Sequence, residues 1–349
     1  MILPTSHIAS LLLLVLCLLC WGSWANTVNA TGKKWRFELY YFDFAIGVVI
    51  AALICALTLG TLGWDGFSFF DDVRLAGKKQ DLFAFVGGLI FNLGNMLLVG
   101  AISLVGLSVA FPAGLGVAMV VAGIWSFVVG PPASLLFRIL GMLALVLSVV
   151  MSAMAYQAYA KAKLVEMIQT GKTKSTKKAI SMKGVIVACV GGLFLGSFYP
   201  LLRMSRDTEA GLGPYSGGFV FAMGILISTF VFNLFFMNLP IAGKPIEMVE
   251  YFRARAKLHG FGILGGIVWY VGALATFVVV RAEGAAQIDP SMTYLLTDGG
   301  ILLATVWGLI LWKELSGNDT KINYQIVLML IFMIVGLGLL SAAPAFAPK

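Results

Sequence analysis

The chain has 349 residues, of which 60% are hydrophobic and only 11% charged, with a mean hydropathy of +0.96 and a formal net charge of +8. A water-soluble domain is nearer half apolar and a quarter charged, so too few polar side chains are present here to coat a water-facing globule, and the alternative solvent is lipid. The positive charge sits in short connections, which excludes a long basic domain able to grip a nucleic acid and points instead to membrane orientation.

A membrane-crossing helix needs about 20 mostly apolar residues. The chain is read as ten such spans, near 7–27, 42–63, 83–105, 107–130, 136–160, 184–203, 217–238, 258–280, 290–312 and 322–343. The fold class is therefore all-α integral membrane. The first run could be mistaken for a signal peptide, but Met1 to His7 carries no Lys or Arg, and such a leader normally has a basic start. It is read as a true span and carries Trp21, Trp24 and Asn26. Asp43 stands before the second apolar run, where it fits a helix N-cap. Asn92 and Asn95 lie in the third span, which is almost fused to the fourth. Arg138, near the start of the fifth, is expected to snorkel toward the interface, as is Arg203 at the end of the sixth.

Between the fifth and sixth spans lies a basic connection, residues 161–183. Its Gly171-Lys172-Thr173 has the tail of a phosphate-binding loop, but Glu166 stands where the opening glycine belongs and no strand can precede it. The segment is read as a solvated loop that fixes topology. Tyr199 falls in span six, Trp269 and Tyr270 in span eight, Tyr294 and Asp298 in span nine. Arg281, Glu283 and Asp289 surround the turn from span eight to nine and read as a solvated cluster. Cys17, Cys20, Cys55 and Cys189 all sit in apolar runs and read as small buried hydrophobes.

Lysine and arginine concentrate on one side: Lys33, Lys34 and Arg36; the seven lysines of 161–183; Lys244, Arg253, Arg255 and Lys257; Lys313 and Lys321. The positive-inside bias places that side in the cytoplasm and both termini outside. The expected location is a plasma membrane, in a bacterium the inner one.

The two halves echo each other. Gly87, Gly88, Gly94, Gly106 and Pro112 recur, 178 residues on, as Gly265, Gly266, Gly272, Gly284 and Pro290. Gly22-Ser23-Trp24 of span one recurs as Gly196-Ser197-Phe198 of span six, 174 residues on. The chain thus divides into a first five-span repeat (1–160), the basic linker (161–183) and a second repeat (184–349). An odd number of spans inverts the second copy. Inverted repeats with a solute site at their midplane interface are a secondary-transporter architecture.

Several stretches carry a family likeness: Trp21-Gly22-Ser23-Trp24, Tyr41-Phe42-Asp43-Phe44, Leu57-Thr58-Leu59-Gly60, Leu93-Gly94-Asn95, Val105-Gly106-Leu107-Ser108-Val109, and Trp307-Gly308 with Lys313-Glu314. In their order and spacing the chain resembles the drug/metabolite transporter superfamily, and within it the ureide permeases and related bacterial sugar-uptake permeases. That resemblance implies a ten-helix, two-repeat carrier for small polar nitrogenous or sugar-like solutes, commonly moved with protons. The chain departs from it in a short, degenerate central loop and in Thr297-Asp298-Gly299-Gly300, where an uncharged stretch is expected.

An aspartate inside a span costs roughly 2.5–3.5 kcal/mol on insertion scales, so Asp298 is a candidate proton-coupling group, with Asp43 a second. A planar polar solute favours aromatic faces and a few amide contacts. The candidate solute-binding residues are therefore Trp21, Trp24, Asn26, Asn92, Asn95, Tyr199, Trp269, Tyr270 and Tyr294. The expected partners are a small polar solute, the proton and the lipid bilayer. The competing solute readings are a sugar of the rhamnose or glucose kind, or an exported compound. No His-Glu-x-x-His, aspartate-rich metal motif or Ser/His pair supports an intramembrane enzyme, and His7 and His259 stand at span edges in no metal spacing.

Overall fold

The computed structural model describes residues 1–32, 35–130, 132–170, 181–208, 210–316 and 319–347. Among them there is no β-strand, and ten helices are long and apolar enough to cross a bilayer. They are span one (His7–Ala30), two (Phe37–Leu57), three (Lys78–Val105), four (Leu107–Val129), five (Leu135–Gln169), six (Lys183–Arg206), seven (Pro214–Asn238), eight (Ala256–Val280), nine (Pro290–Leu311) and ten (Thr320–Phe346). The protein is a multi-pass, all-helical membrane protein. The motif Gly171-Lys172-Thr173 lies outside the described residues.

Where helices begin follows local chemistry. Ser6 caps span one by accepting from the Ala9 amide, and Ser134 caps span five by accepting from Phe137. Span two begins earlier than hydropathy indicates, because its polar first turn is satisfied internally: Arg36 pairs with the fully buried Glu38 at 2.5 Å. Asp43 is therefore not the N-cap expected of it. It lies in the second turn of the helix, 1% exposed. Span five runs nine residues beyond its apolar stretch, carrying Lys161 and Lys163 on the same helix. All four cysteines are free thiols.

Packing fits the repeat. Span four packs on six as nine packs on one, and three on six as eight on one. Two packs on eight as seven packs on three, while the five–ten and two–seven pairs each map onto themselves. Glycine makes these crossings possible. A Cβ on Gly88 would strike the carbonyl oxygen of Phe221, and one on Gly266 that of Phe44; Gly224 lies likewise against Phe85, and Gly47 against Ile263. Each pair of crossings falls at repeat-related positions. With little hydrophobic driving force between helices in lipid, such close backbone approach is a main source of association.

The turns repeat as well. Gly106 joins spans three and four at φ +82°, and Gly284 joins eight and nine at φ +56°. Both lie in the left-handed region that glycine enters at no steric cost.

Candidate functional site

Three spans break, and the breaks shape the site. In span one the first helical segment ends at Ser23 with Trp24 as its cap. In span six it ends at Ser197 with Phe198 as its cap. These are the two Gly-Ser-aromatic stretches that echo in sequence. Span nine breaks at Gly299, directly after Asp298.

Beside the breaks lies a cavity of about 640 Å³. Its inner end is built from Trp21, Phe91, Asn95, Phe221 and Trp269, toward the middle of their spans, and from Phe111 near the start of span four. Its wide end reaches the span ends on the face shared by both chain termini, where Arg206, Asp207 and Gln287 stand. Trp269 is the centre of the aromatic wall. Its ring lies 4.5 Å from that of Phe91, and near-parallel to Trp21 and Phe221 at 6.4 Å each. The Trp21 indole donates to the Trp269 carbonyl at 3.2 Å, so the two spans that carry them are tied at this level. Asn95, 2% exposed, donates to the Tyr41 hydroxyl at 3.0 Å, which fixes its amide plane.

The candidate residues divide by place. Trp21, Trp24, Asn95, Tyr199, Trp269, Tyr294 and Asp298 line the cavity. Asn26, Asn92 and Tyr270 do not. Asn26 is engaged by the Trp312 indole at 2.7 Å and donates to the Ser23 carbonyl. Asn92 is buried between spans three and seven, donating to Ser228 and Thr229. Tyr270 is fully buried, with its hydroxyl near Gly218. Asp298 receives no hydrogen bond from the described residues and is among the residues that line the cavity.

Sequence reading missed much of the polar wall. Arg138 does not snorkel: it is 8% exposed, lines the cavity and lies over the Phe127 ring at 5.2 Å. Arg203 also lines the cavity, bonded to Asp207 at 2.8 Å, and Arg206 bonds the other oxygen of Asp207 at 3.0 Å. Arg281 is no solvated charge, since it donates to the carbonyls of Arg206 and Leu212. The signal that could have found this wall is spacing. Tyr199, Arg203 and Asp207 follow one another by four residues, as do Tyr294 and Asp298, so each set shares one helix face.

The opposite face carries a set of polar ties. Glu314 accepts from the Leu107 and Ser108 amides, the Ser108 hydroxyl and Asn29, joining the ends of spans one, four and nine. It is held in a constrained segment. Lys313 and Leu315 both have positive φ, and a π-turn over Trp307–Leu311 precedes them. Trp307 reaches Ser23 at 3.1 Å. Asp43 accepts from Tyr251 at 2.6 Å and pairs with His259 at 3.0 Å. Burial, then the Asp43 carboxylate, push the Tyr251 phenol above its ordinary range, so it stays a donor at physiological pH.

Comparison with known proteins agrees with this architecture. The family profile described as Ureide permease matches residues 40–184. Ureide permease 1 of Arabidopsis thaliana is 22% identical, with 95% of each chain covered. Ureide permease 4 of the same plant is 21% identical over 95% of this chain and 96% of its own. The putative ribose uptake protein RbsU of Staphylococcus aureus (strain COL) is 23% identical, covering 90% of this chain and 93% of that one. A crystal structure of another protein superposes with a TM-score of 0.52 at 14% identity, over 95% of this chain and 96% of that one, and at that identity shows the fold. The chain resembles the ureide permeases along nearly its whole length, and the relatives it resembles are transporters rather than enzymes.

Proposed function

We propose that the protein is a secondary active carrier that takes up a small polar nitrogenous solute, a ureide or nucleobase, together with a proton. The observation that carries this reading is the cavity: an aromatic floor at mid-span, one fixed amide at Asn95, and the unbonded carboxyl of Asp298 on the wall. Flat faces suit a planar solute, and the amide supplies direction. A carboxyl in a span, lining a cavity that opens to one side, is a group whose protonation can bias the relative stability of two access states.

The two five-span repeats, 1–160 and 184–349, are proposed to rock against each other about this site, with the second inverted relative to the first. The arrangement described is then the state accessible from the face of the termini, which the positive-inside bias makes the outside. The Glu314 and Asp43 ties close the cytoplasmic end and must part in the alternate state. A sugar reading keeps the same architecture and draws support from the likeness to a ribose uptake protein.

Uptake of radiolabelled allantoin, uracil and ribose into proteoliposomes under an inward proton gradient tests the reading. Accumulation of allantoin or uracil above the equilibrium level, collapsed by an uncoupler, is expected. Accumulation of ribose alone would replace the nitrogenous solute with a sugar, and no gradient dependence for any of them would remove the proton.

A further inference from the structure

Five charged side chains line the cavity: Arg138, Arg203 and Arg206 against Asp207 and Asp298. Their arrangement is uneven. Asp207 is shared between Arg203 and Arg206, bonded to the Nε of each, so one carboxylate answers two guanidinium groups. Arg281 brings a further positive charge behind Arg206, since its guanidinium donates to the Arg206 carbonyl at 3.0 Å. Arg138 enters from span five on another wall. Asp298 accepts no hydrogen bond from any of these arginines among the described residues.

The groups that face Asp298 can be named from each packed element. Tyr294 is one turn away on span nine, and Tyr199 of span six stands beside Tyr294 and Arg203. Cys17 is its ionisable neighbour from span one, with Cys20 next to Cys17. Spans eight and ten contribute no ionisable side chain to the cavity lining. The arginines stay protonated at every physiological pH, whereas the Asp298 carboxyl can exchange a proton.

We infer that the solute this cavity is built to carry with a proton is a weak acid or anion, seated with its negative end on the Arg203 side and its flat face on the Trp269 wall. The inference rests on the carrier reading above and goes beyond it in naming the charge of the solute. With both carboxylates ionised the lining holds one net positive charge; when Asp298 takes a proton it holds two. Proton and anion therefore help each other bind, by the same factor in either direction. A neutral solute gains no such electrostatic coupling. The proton and a monovalent anion together move no net charge, so the carriage is electroneutral.

A matched pair of probes tests this: uracil, which is neutral near pH 7, and orotate, the same ring bearing a carboxylate. Binding to the purified full chain is read from quenching of tryptophan fluorescence between pH 6 and 8, and accumulation from proteoliposomes with and without an imposed membrane potential. Orotate is expected to bind several-fold more tightly at pH 6 than at pH 8, and its proton-driven uptake to ignore the potential. Asp298→Asn should flatten that pH dependence. Arg203→Gln should lower the ratio of orotate to uracil affinity about tenfold, and Arg203→Lys, which keeps the charge, should restore most of it. If the Gln variant does not fold, Arg206→Gln gives the same reading from the other side of Asp207.

Proton-driven uptake of uracil that exceeds that of orotate would overturn the inference while leaving the carrier reading intact. Orotate binding that depends on Arg203 but not on pH would overturn the coupling between proton and anion. Failure of both solutes to accumulate, with no binding of either, would count against the carrier reading itself.

Discussion

At the scale of single residues, the cavity separates side chains that sequence reading had weighed alike. Asn92 and Asn95 stand three apart on span three, yet Asn92 is spent on Ser228 and Thr229 while Asn95 reaches the cavity. Asn95→Ala is expected to weaken solute binding about tenfold, the scale of a lost hydrogen bond with a group left unpaired, without reducing expression. Asn92→Ala should instead lower thermal stability and leave the solute dissociation constant near wild type. Binding and melting measurements on the two variants separate these roles, and an unchanged dissociation constant for Asn95→Ala would move the site elsewhere. Hydropathy could not make this distinction, because it reports that a residue lies in a span and not which way it points. For the same reason Arg138 was read as a snorkelling side chain. Its apolar neighbours in sequence hide the fact that it faces a cavity.

At the scale of elements, the span count was legible because apolar runs of the needed length cannot be anything else in so uncharged a chain. Boundaries were less so. Span two starts at Phe37 because a buried ion pair satisfies its first turn, and span five continues to Gln169 because nothing in the sequence stops the helix at the membrane edge. The breaks in spans one and six were legible only as an echo of Gly-Ser-aromatic stretches, and the fold shows Trp24 and Phe198 capping the first segment of each.

The glycine crossings carry a prediction. Gly88→Ala and Gly266→Ala place a Cβ against the carbonyl oxygens of Phe221 and Phe44, and each is expected to destabilise by about 1–3 kcal/mol, an overpacking cost. The two losses in melting temperature should be similar, since the crossings are repeat-related. A large loss for one and none for the other would break that equivalence. Glu314→Gln leaves the shape but removes a charge that serves four donors, and should cost about 1.5–3 kcal/mol. Because those bonds tie together the face away from the cavity, the variant should also raise labelling of a cysteine placed at Leu104 by a reagent added from that face. Unchanged labelling would mean that Glu314 supports the fold without guarding the passage.

At the scale of the whole molecule, packing partners that exchange consistently between halves fit a two-fold relation, and the proposed orientation, with the basic linker in the cytoplasm, is open to a direct test. A cysteine at Ser175, in the basic linker, is expected to resist an impermeant reagent in intact cells and to react once the membrane is opened. Reaction in intact cells would reverse the orientation, and with it the direction from which the cavity fills.

The carrier account turns on a proton held at Asp298, and Asp298→Asn in proteoliposomes tests it most directly. The substitution keeps the size and polarity of the side chain but removes the exchangeable charge. The account predicts folded protein that binds solute and exchanges it across membranes at equal pH, yet no longer accumulates it under an inward proton gradient. Accumulation by the Asn variant at the wild-type level, with wild-type pH dependence, would contradict it.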